Sequence, residues 1–228
     1  MVIIKTNKEI QKIKKSCQLT ASTLKYIGER IKPGVKTLQL DQMAESFIIK
    51  QGGKPSFKHY GPKGYEFPSS ICVSIDDQIV HGIPGDRVLK EGEIVSIDIG
   101  TNLNGYFGDA AATFGVGEIS NLAKKLIETT REALLAGIKQ AVQGNFIGDI
   151  SFAIQSIAEN NNFSVVREYV GHGVGFKVHE DPQIPNYGKP KTGLRLEKGM
   201  VIAIEPMLNQ GDYRTISSDD GWTVTTID

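Results

Sequence analysis

Apolar residues along the chain switch between a helical and a strand-like period. Over residues 8–31 they recur three or four apart (Ile10, Ile13, Cys17, Leu24, Ile27, Ile31), as on an amphipathic helix, and Pro33-Gly34 ends the run. Thr37 is placed to cap a second helix that runs to about Gln51 and stops at Gly52-Gly53. Residues 54–70, rich in Gly, Pro and aromatic side chains, read as a loop. Strand-like runs follow at 71–75 and 79–81. The runs 93–100 and 105–116 flank a turn at 102–105, as in a β-hairpin. Helical spacing returns over about 121–142 and 148–161. The last third is again strand-like, at 165–169, 194–196, 200–204 and 222–227.

Helices, strands, helices, strands is the order that two matching halves would produce. A weak echo fits it: Gly34-Val35-Lys36-Thr37-Leu38-Gln39-Leu40 precedes one helix, and Gly144-Asn145-Phe146-Ile147-Gly148-Asp149-Ile150 precedes another. The class expected is α+β, with helices packed on antiparallel sheet. No linker or low-complexity stretch divides the chain, so residues 1–228 are expected to form one domain.

Charge and composition narrow the setting. Twenty-six basic and 26 acidic residues cancel, so nothing calls for nucleic acid or a membrane surface. Cys17 and Cys72 form neither a CxxC motif nor a disulfide framework, which points to a reducing compartment. Lysines interrupt the apolar residues near the N-terminus, so there is no signal-peptide core, and no run is long enough to span a bilayer. A cytoplasmic, soluble protein is expected.

Carboxylates in apolar surroundings are the first chemical signal. Asp98 lies within Ile94-Val95-Ser96-Ile97-Asp98-Ile99-Gly100, where an ionised carboxylate is costly unless paired or metal-bound. Asp109 falls in the other arm of the expected hairpin, where the two side chains share a face. Two carboxylates so close repel unless a cation lies between them. The alternative is that each caps a turn. Glu205 closes the run Met200-Val201-Ile202-Ala203-Ile204 and again asks for a partner, unless it is simply an exposed strand end.

Four histidines complete the candidate set. His172 sits in Gly171-His172-Gly173-Val174-Gly175, where glycines let the backbone bend and expose the ring. His179 opens His179-Glu180-Asp181-Pro182, and His81 ends a strand in Val80-His81-Gly82-Ile83-Pro84. His59 has no such context and is left out. Two aspartates, a glutamate and an imidazole suit Mn, Fe or Co in a two-metal site better than a thiolate zinc site. There is no HExxH motif, no GxSxG elbow and no cysteine in a catalytic context.

In order and spacing these motifs, with Ile204-Glu205-Pro206-Met207 and Asp220-Gly221-Trp222-Thr223, resemble those of the type I methionine aminopeptidases over essentially the whole chain. The resemblance implies a pita-bread fold, two pseudo-symmetric αβ halves with antiparallel sheet inside and helices outside. It implies a metallo-exopeptidase that uses two divalent ions to remove initiator methionine from nascent proteins. It assigns Asp98, Asp109, His172 and Glu205 to the metals, with Glu205 also near the nucleophilic water. His81 and His179 match residues that contact the scissile peptide. Cys72, Phe67 and Trp222 match the methionine pocket, with Phe67 at a position often occupied by tyrosine. A monomer is expected, with transient ribosome association possible for such an enzyme. The family also carries a glutamate in a Glu-His-Thr segment beyond the Asp-Gly-Trp motif. Asp228 precedes that segment, so the expectation is of a fragment without the last strand and ligand. Two other readings are an X-Pro aminopeptidase or prolidase relative, which usually carries an extra N-terminal domain, and a pita-bread binding module without catalysis.

Overall fold

The computed structural model describes all 228 residues. Helices α1 (Asn7–Gly28) and α2 (Thr37–Lys50) precede strands β1 (Lys54–Pro55), β2 (Cys72–Ile75), β3 (Gln78–Val80), β4 (Ile94–Leu103) and β5 (Tyr106–Gly115). Helices α3 (Asn121–Gln140) and α4 (Ile147–Asn160) follow. The rest is short strands: β6 (Ser164–Val165), β7 (Gly171–Gly173), β8 (Glu180–Ile184), β9 (Ile202–Ala203), β10 (Leu208–Asn209), β11 (Thr215–Ser217) and β12 (Val224–Thr226). All named pairings are antiparallel: β4 with β1, β2 and β5; β7 with β8 and β9; β12 with β3 and β11; and β6 with β10.

The β4–β5 hairpin is the longest ladder, in unbroken register from Ile94 opposite Gly115 to Leu103 opposite Tyr106. Asn104 and Gly105 both have positive φ (55° and 83°), the conformation a two-residue turn needs to match strand twist. Helix α1 packs across this hairpin. Thr6 and Glu9 form a reciprocal cap at its start, and the buried residues Ile13, Ser16, Leu19, Thr20, Thr23 and Ile27 line one face. The buried hydroxyls have partners: Thr20 Oγ1 lies 2.7 Å from Thr101 Oγ1, and Ser16 Oγ donates to Thr101 O at 3.1 Å. Gly108 permits the close approach, because a Cβ there would sit 2.6 Å from Cys17 N. That contact fixes the depth of the neighbouring Asp109.

The two halves repeat one hydrogen-bond scheme. Helices α2 and α4 are both 14 residues long, and their starts at Thr37 and Ile147 keep the same offset as Gly34 and Gly144. Gly34 N donates to Leu89 O, and Gly144 N to Leu196 O; Thr37 N donates to Arg87 O, and Ile147 N to Leu194 O. Gly53 N closes on Ile48 O, and Phe163 N on Ala158 O. The glycines of the sequence echo, Gly34 and Gly144, both sit at positive φ and lead into the bridges Lys36–Val88 and Phe146–Arg195. Each half has its own core, one around Ile27, Leu40, Ile48, Ile97 and Ile99, the other around Ala133, Ile150, Ile154 and Ile184. Lys54 pairs with Asn102, and Ser164 with Asn209. In that frame Asp98 and Glu205 hold equivalent places, each a few residues before the paired asparagine of its half.

Several local expectations need correction. Thr37 is the first residue of α2, not its cap. The capping bond comes from Gln39, which accepts from Lys36 N at 2.9 Å, while the Thr37 hydroxyl exchanges hydrogen bonds with the backbone of Gly85. Helix α1 ends at Gly28, as Arg30 and Ile31 turn back by shorter-range bonds. Residues 194–196 form no strand: their carbonyls are used by the turn into α4. The run at 165–169 shrinks to Val165 alone within β6. Strands β7 and β8 fall outside the expected set, since Gly-His-Gly and Glu-Asp-Pro-Gln-Ile lack apolar alternation.

One contact binds the N-terminal segment to the second half. Lys5 Nζ lies 2.5 Å from Glu180 Oε2, and both side chains are almost fully buried (1% and 3% exposed). Glu180 Oε1 also accepts from Lys177 N at 2.9 Å, so the pair fixes the loop that leads to His179. Lys5→Met strands a buried carboxylate and should lower unfolding free energy by about 3–5 kcal/mol. Urea denaturation of Lys5→Met, with Lys5→Met/Glu180→Gln recovering much of the loss, checks this.

Candidate metal centre

Register places the acidic pair. Asp98 on β4 lies opposite Ala111, and Asp109 on β5 lies opposite Gly100, so the two are diagonal neighbours on one face. The second half supplies the other side. His172 on β7 pairs with Ala203 on β9, and Glu205 follows just beyond. His172 Nε2 is 2.9 Å from Glu205 Oε1 and 3.7 Å from Asp109 Oδ2. Asp109, His172 and Glu205 therefore converge, with Asp98 diagonal to Asp109 on the same sheet face. The glycines beside His172 act by letting strands approach: a Cβ at Gly171 would collide with Ala203 O, and one at Gly173 with Asp181 O.

His179 and His81 border the cluster. The His179 ring centroid is 4.4 Å from that of His172, and ligand atoms of Asp109, His172 and His179 all lie within 4.8 Å of one another. His81 holds a left-handed backbone (φ 59°), and its ring stands edge-on to Trp222 at 6.0 Å and to Tyr169 at 5.8 Å. The expected pocket residues also meet. Buried Phe67 and Cys72 pack with Phe57 and Val178, and Trp222 stands edge-on to Phe67 at 5.2 Å. Cys72 pairs with Asp98 across β2 and β4, so this apolar wall adjoins the carboxylates. Away from the wall, Asp98, Asp109 and Glu205 open into a groove of about 1240 Å³ between α3 and the chain around β9 and β10.

Sequence reading misses Tyr60, whose phenol oxygen is 2.7 Å from His179 Nδ1. The aromatic content of residues 54–70 is visible, but nothing local ties one tyrosine to a histidine so distant along the chain.

The electrostatics call for a cation. Burial, then the Glu205 charge, pushes Asp98 up to about 7 against the Asp109 hydrogen bond. Burial, then Asp98 and Glu205, pushes Asp109 well above the usual carboxylate range. Burial depresses His81, and burial with neighbouring His172 depresses His179 to about 4. His172 moves up although burial opposes it, because Glu205, the Gly173 carbonyl and Asp109 favour its charged form.

Two atoms test the fit directly. His172 Nδ1 lies 2.8 Å from Gly173 O and donates to it, so in the neutral ring that a metal requires, Nε2 presents its lone pair toward Asp109 and Glu205. Glu205 Oε1 is buried, and with His172 neutral its 2.9 Å neighbour Nε2 gives it no donor. Acceptors turned toward one another in a poorly solvated cleft suit a divalent cation with oxygen and imidazole ligands.

Comparison with known proteins agrees. Residues 11–226 match metallopeptidase family M24. The chain belongs to that family. Among relatives, methionine aminopeptidase 1 of Bacillus subtilis is 53% identical over all of this chain and 90% of its own length. The crystal structure of methionine aminopeptidase from Thermotoga maritima superposes with a TM-score of 0.96 at 44% identity, covering all of this chain and 90% of that one. Prolidase from Pyrococcus furiosus shares the fold at a TM-score of 0.74 and 26% identity, over 90% of this chain and 57% of that one. The M24 fold is thus the two-half α+β architecture described above, and membership implies divalent metal ions. No helix of this M24 chain is long and apolar enough to cross a membrane.

Metal-free protein should show the carboxylate strain as a pH effect. A folded-state pKa raised above the unfolded value means the folded chain holds the extra proton, so stability falls as pH rises through the folded value. For Asp98 that window runs from about 4 to about 7. Asp98→Asn should flatten this decline and be more stable than the metal-free parent at pH 7.5, while binding metal more weakly. Thermal melts in chelator across pH, with metal titrations, read both effects.

Proposed function

We propose that this chain hydrolyses the peptide bond after an N-terminal methionine, using Asp98, Asp109, His172 and Glu205 to hold two divalent ions of the Co, Mn or Fe type. The observation that carries this reading is the convergence of three carboxylates and the free Nε2 of His172 beside an apolar wall. When bound, such a pair of ions supplies an activated water and polarises the substrate carbonyl.

The chain's own residues do the rest. Phe67, Cys72 and Trp222 form an apolar surface that suits an unbranched, polarizable thioether. Glu205 sits where a carboxylate can also accept a proton from the attacking water. His179 and His81, both depressed and so neutral near pH 7, hydrogen-bond the scissile group and strengthen that contact as charge develops on the carbonyl and the amine leaves. Unfolded N-termini of newly made proteins are the substrate class, which puts the enzyme in the cytoplasm. Identity of 53% to a methionine aminopeptidase, against 26% to a prolidase that this chain spans by little more than half, favours this over the X-Pro reading.

Two assays test the assignment. On Met-Ala-Ser, Leu-Ala-Ser and Lys-Ala-Ser peptides the metal-loaded enzyme should release methionine alone; equal cleavage of the three would remove the pocket from the account. His179→Ala should lower kcat roughly a hundredfold with bound metal unchanged, the usual scale for a proton-donating group. His81→Ala should behave alike but more mildly, whereas His172→Ala should lose metal as well as rate. Metal retained by His172→Ala and lost by His179→Ala would reverse the two roles.

A further inference from the structure

The two roles open to His179, metal ligand or hydrogen-bond donor, differ in one proton, and Tyr60 touches the nitrogen that decides it. Its phenol oxygen is 2.7 Å from His179 Nδ1, with ring centroids 5.0 Å apart and the planes steeply inclined. The tyrosine is not a loose surface group at its backbone. Tyr60 N donates to Phe57 O at 2.9 Å, and Phe67 N donates to Tyr60 O at 2.7 Å. These bonds moor it to the apolar cluster that holds Phe57 and Phe67. The histidine is moored independently, because the residue after it is Glu180 of the buried pair with Lys5.

Acid–base chemistry sets the direction of the bond. A phenol is a much stronger acid than a neutral imidazole N–H, and an imidazole nitrogen is a much stronger base than a phenol oxygen. The stronger hydrogen bond is therefore O–H to Nδ1. With Nδ1 accepting, the single proton of the neutral ring must sit on Nε2. Nε2 is then a donor, and a protonated nitrogen cannot coordinate a metal.

We propose that Tyr60 is a positioning residue: its hydroxyl donates to His179 Nδ1, fixes the Nε2–H tautomer, and so keeps His179 out of the metal's ligand set and available as a donor to substrate. This rests on the reading of the site as a peptidase centre, but the tautomer is measurable without turnover.

Long-range 1H–15N NMR on the metal-free and the zinc-loaded protein gives the first readout. His179 should show an unprotonated, hydrogen-bonded Nδ1 and a protonated Nε2 in both. Tyr60→Phe should mix the tautomers, lower kcat on Met-Ala-Ser about tenfold, the scale of one hydrogen bond, and change KM less than twofold. Zinc bound per chain should stay constant or rise. A deprotonated, zinc-shifted Nε2 in the parent protein would overturn the proposal, as would a tautomer unchanged by Tyr60→Phe. The parent spectrum alone is decisive if the variant misfolds. If the spectra are as expected while His179→Ala retains full kcat, the Tyr60 assignment stands and the role given to His179 in catalysis falls.

Discussion

Three carboxylates share one poorly solvated cleft, and their mutual repulsion is the constraint around which the rest of the molecule is arranged. Like charges a few ångströms apart and away from water tend to protonate or move apart. Here neither backbone can move. Asp98 and Asp109 are locked by a ten-pair ladder, and Glu205 is tied through Ala203 to the strand that carries His172. The conflict is left for protons or a cation to resolve. Rigid strands backed by two helical layers hold the acceptors together against their electrostatic preference, which is how a binding site is preorganised.

The duplicated scheme explains how the two halves bring acidic and imidazole side chains together from opposite sides. Each half turns at a glycine into a bridge, winds a helix and then lays strands toward the midline. Asp98 and Glu205 each stand four residues before the paired asparagine of their half. Between the halves, the burial of Lys5 against Glu180 and the hydrogen bond from Phe107 N to Gly175 O join hairpin, N-terminus and histidine loop into one wall. The apolar surface beside Cys72 and the rings of His81 and His179 border it.

What the sequence discloses tracks how local the cause is. Asp98 and Asp109 are legible because a hairpin is a local object with a two-residue period, and a charge breaks that period visibly. Glu205 is legible for the same reason. His172 shows through its glycines, although their purpose differs from the one expected: they admit neighbouring backbone instead of bending their own. Strand β7 is hidden because its burial comes from β8 and β9, not from apolar alternation. Tyr60 and Lys5 are hidden more deeply, since each gains its meaning from one residue in the far half of the chain. The resemblance to a known family supplies the roles of His81, Cys72, Phe67 and Trp222, which spacing alone does not give.

The distance along the chain between the site's two shores bears on its birth. The Asp98–Asp109 hairpin is local and can close within about 10 μs of leaving confinement. Glu205 is synthesised roughly 100 residues after Asp98, which takes on the order of 5–20 s at about 5–20 residues per second. For most of that interval a nascent chain displays two facing aspartates without His172, and for all of it without Glu205. Any ion met then is held by oxygen ligands alone, weakly and in fast exchange. On the proposed ligand set, the full set of donors is therefore assembled only when the second half docks.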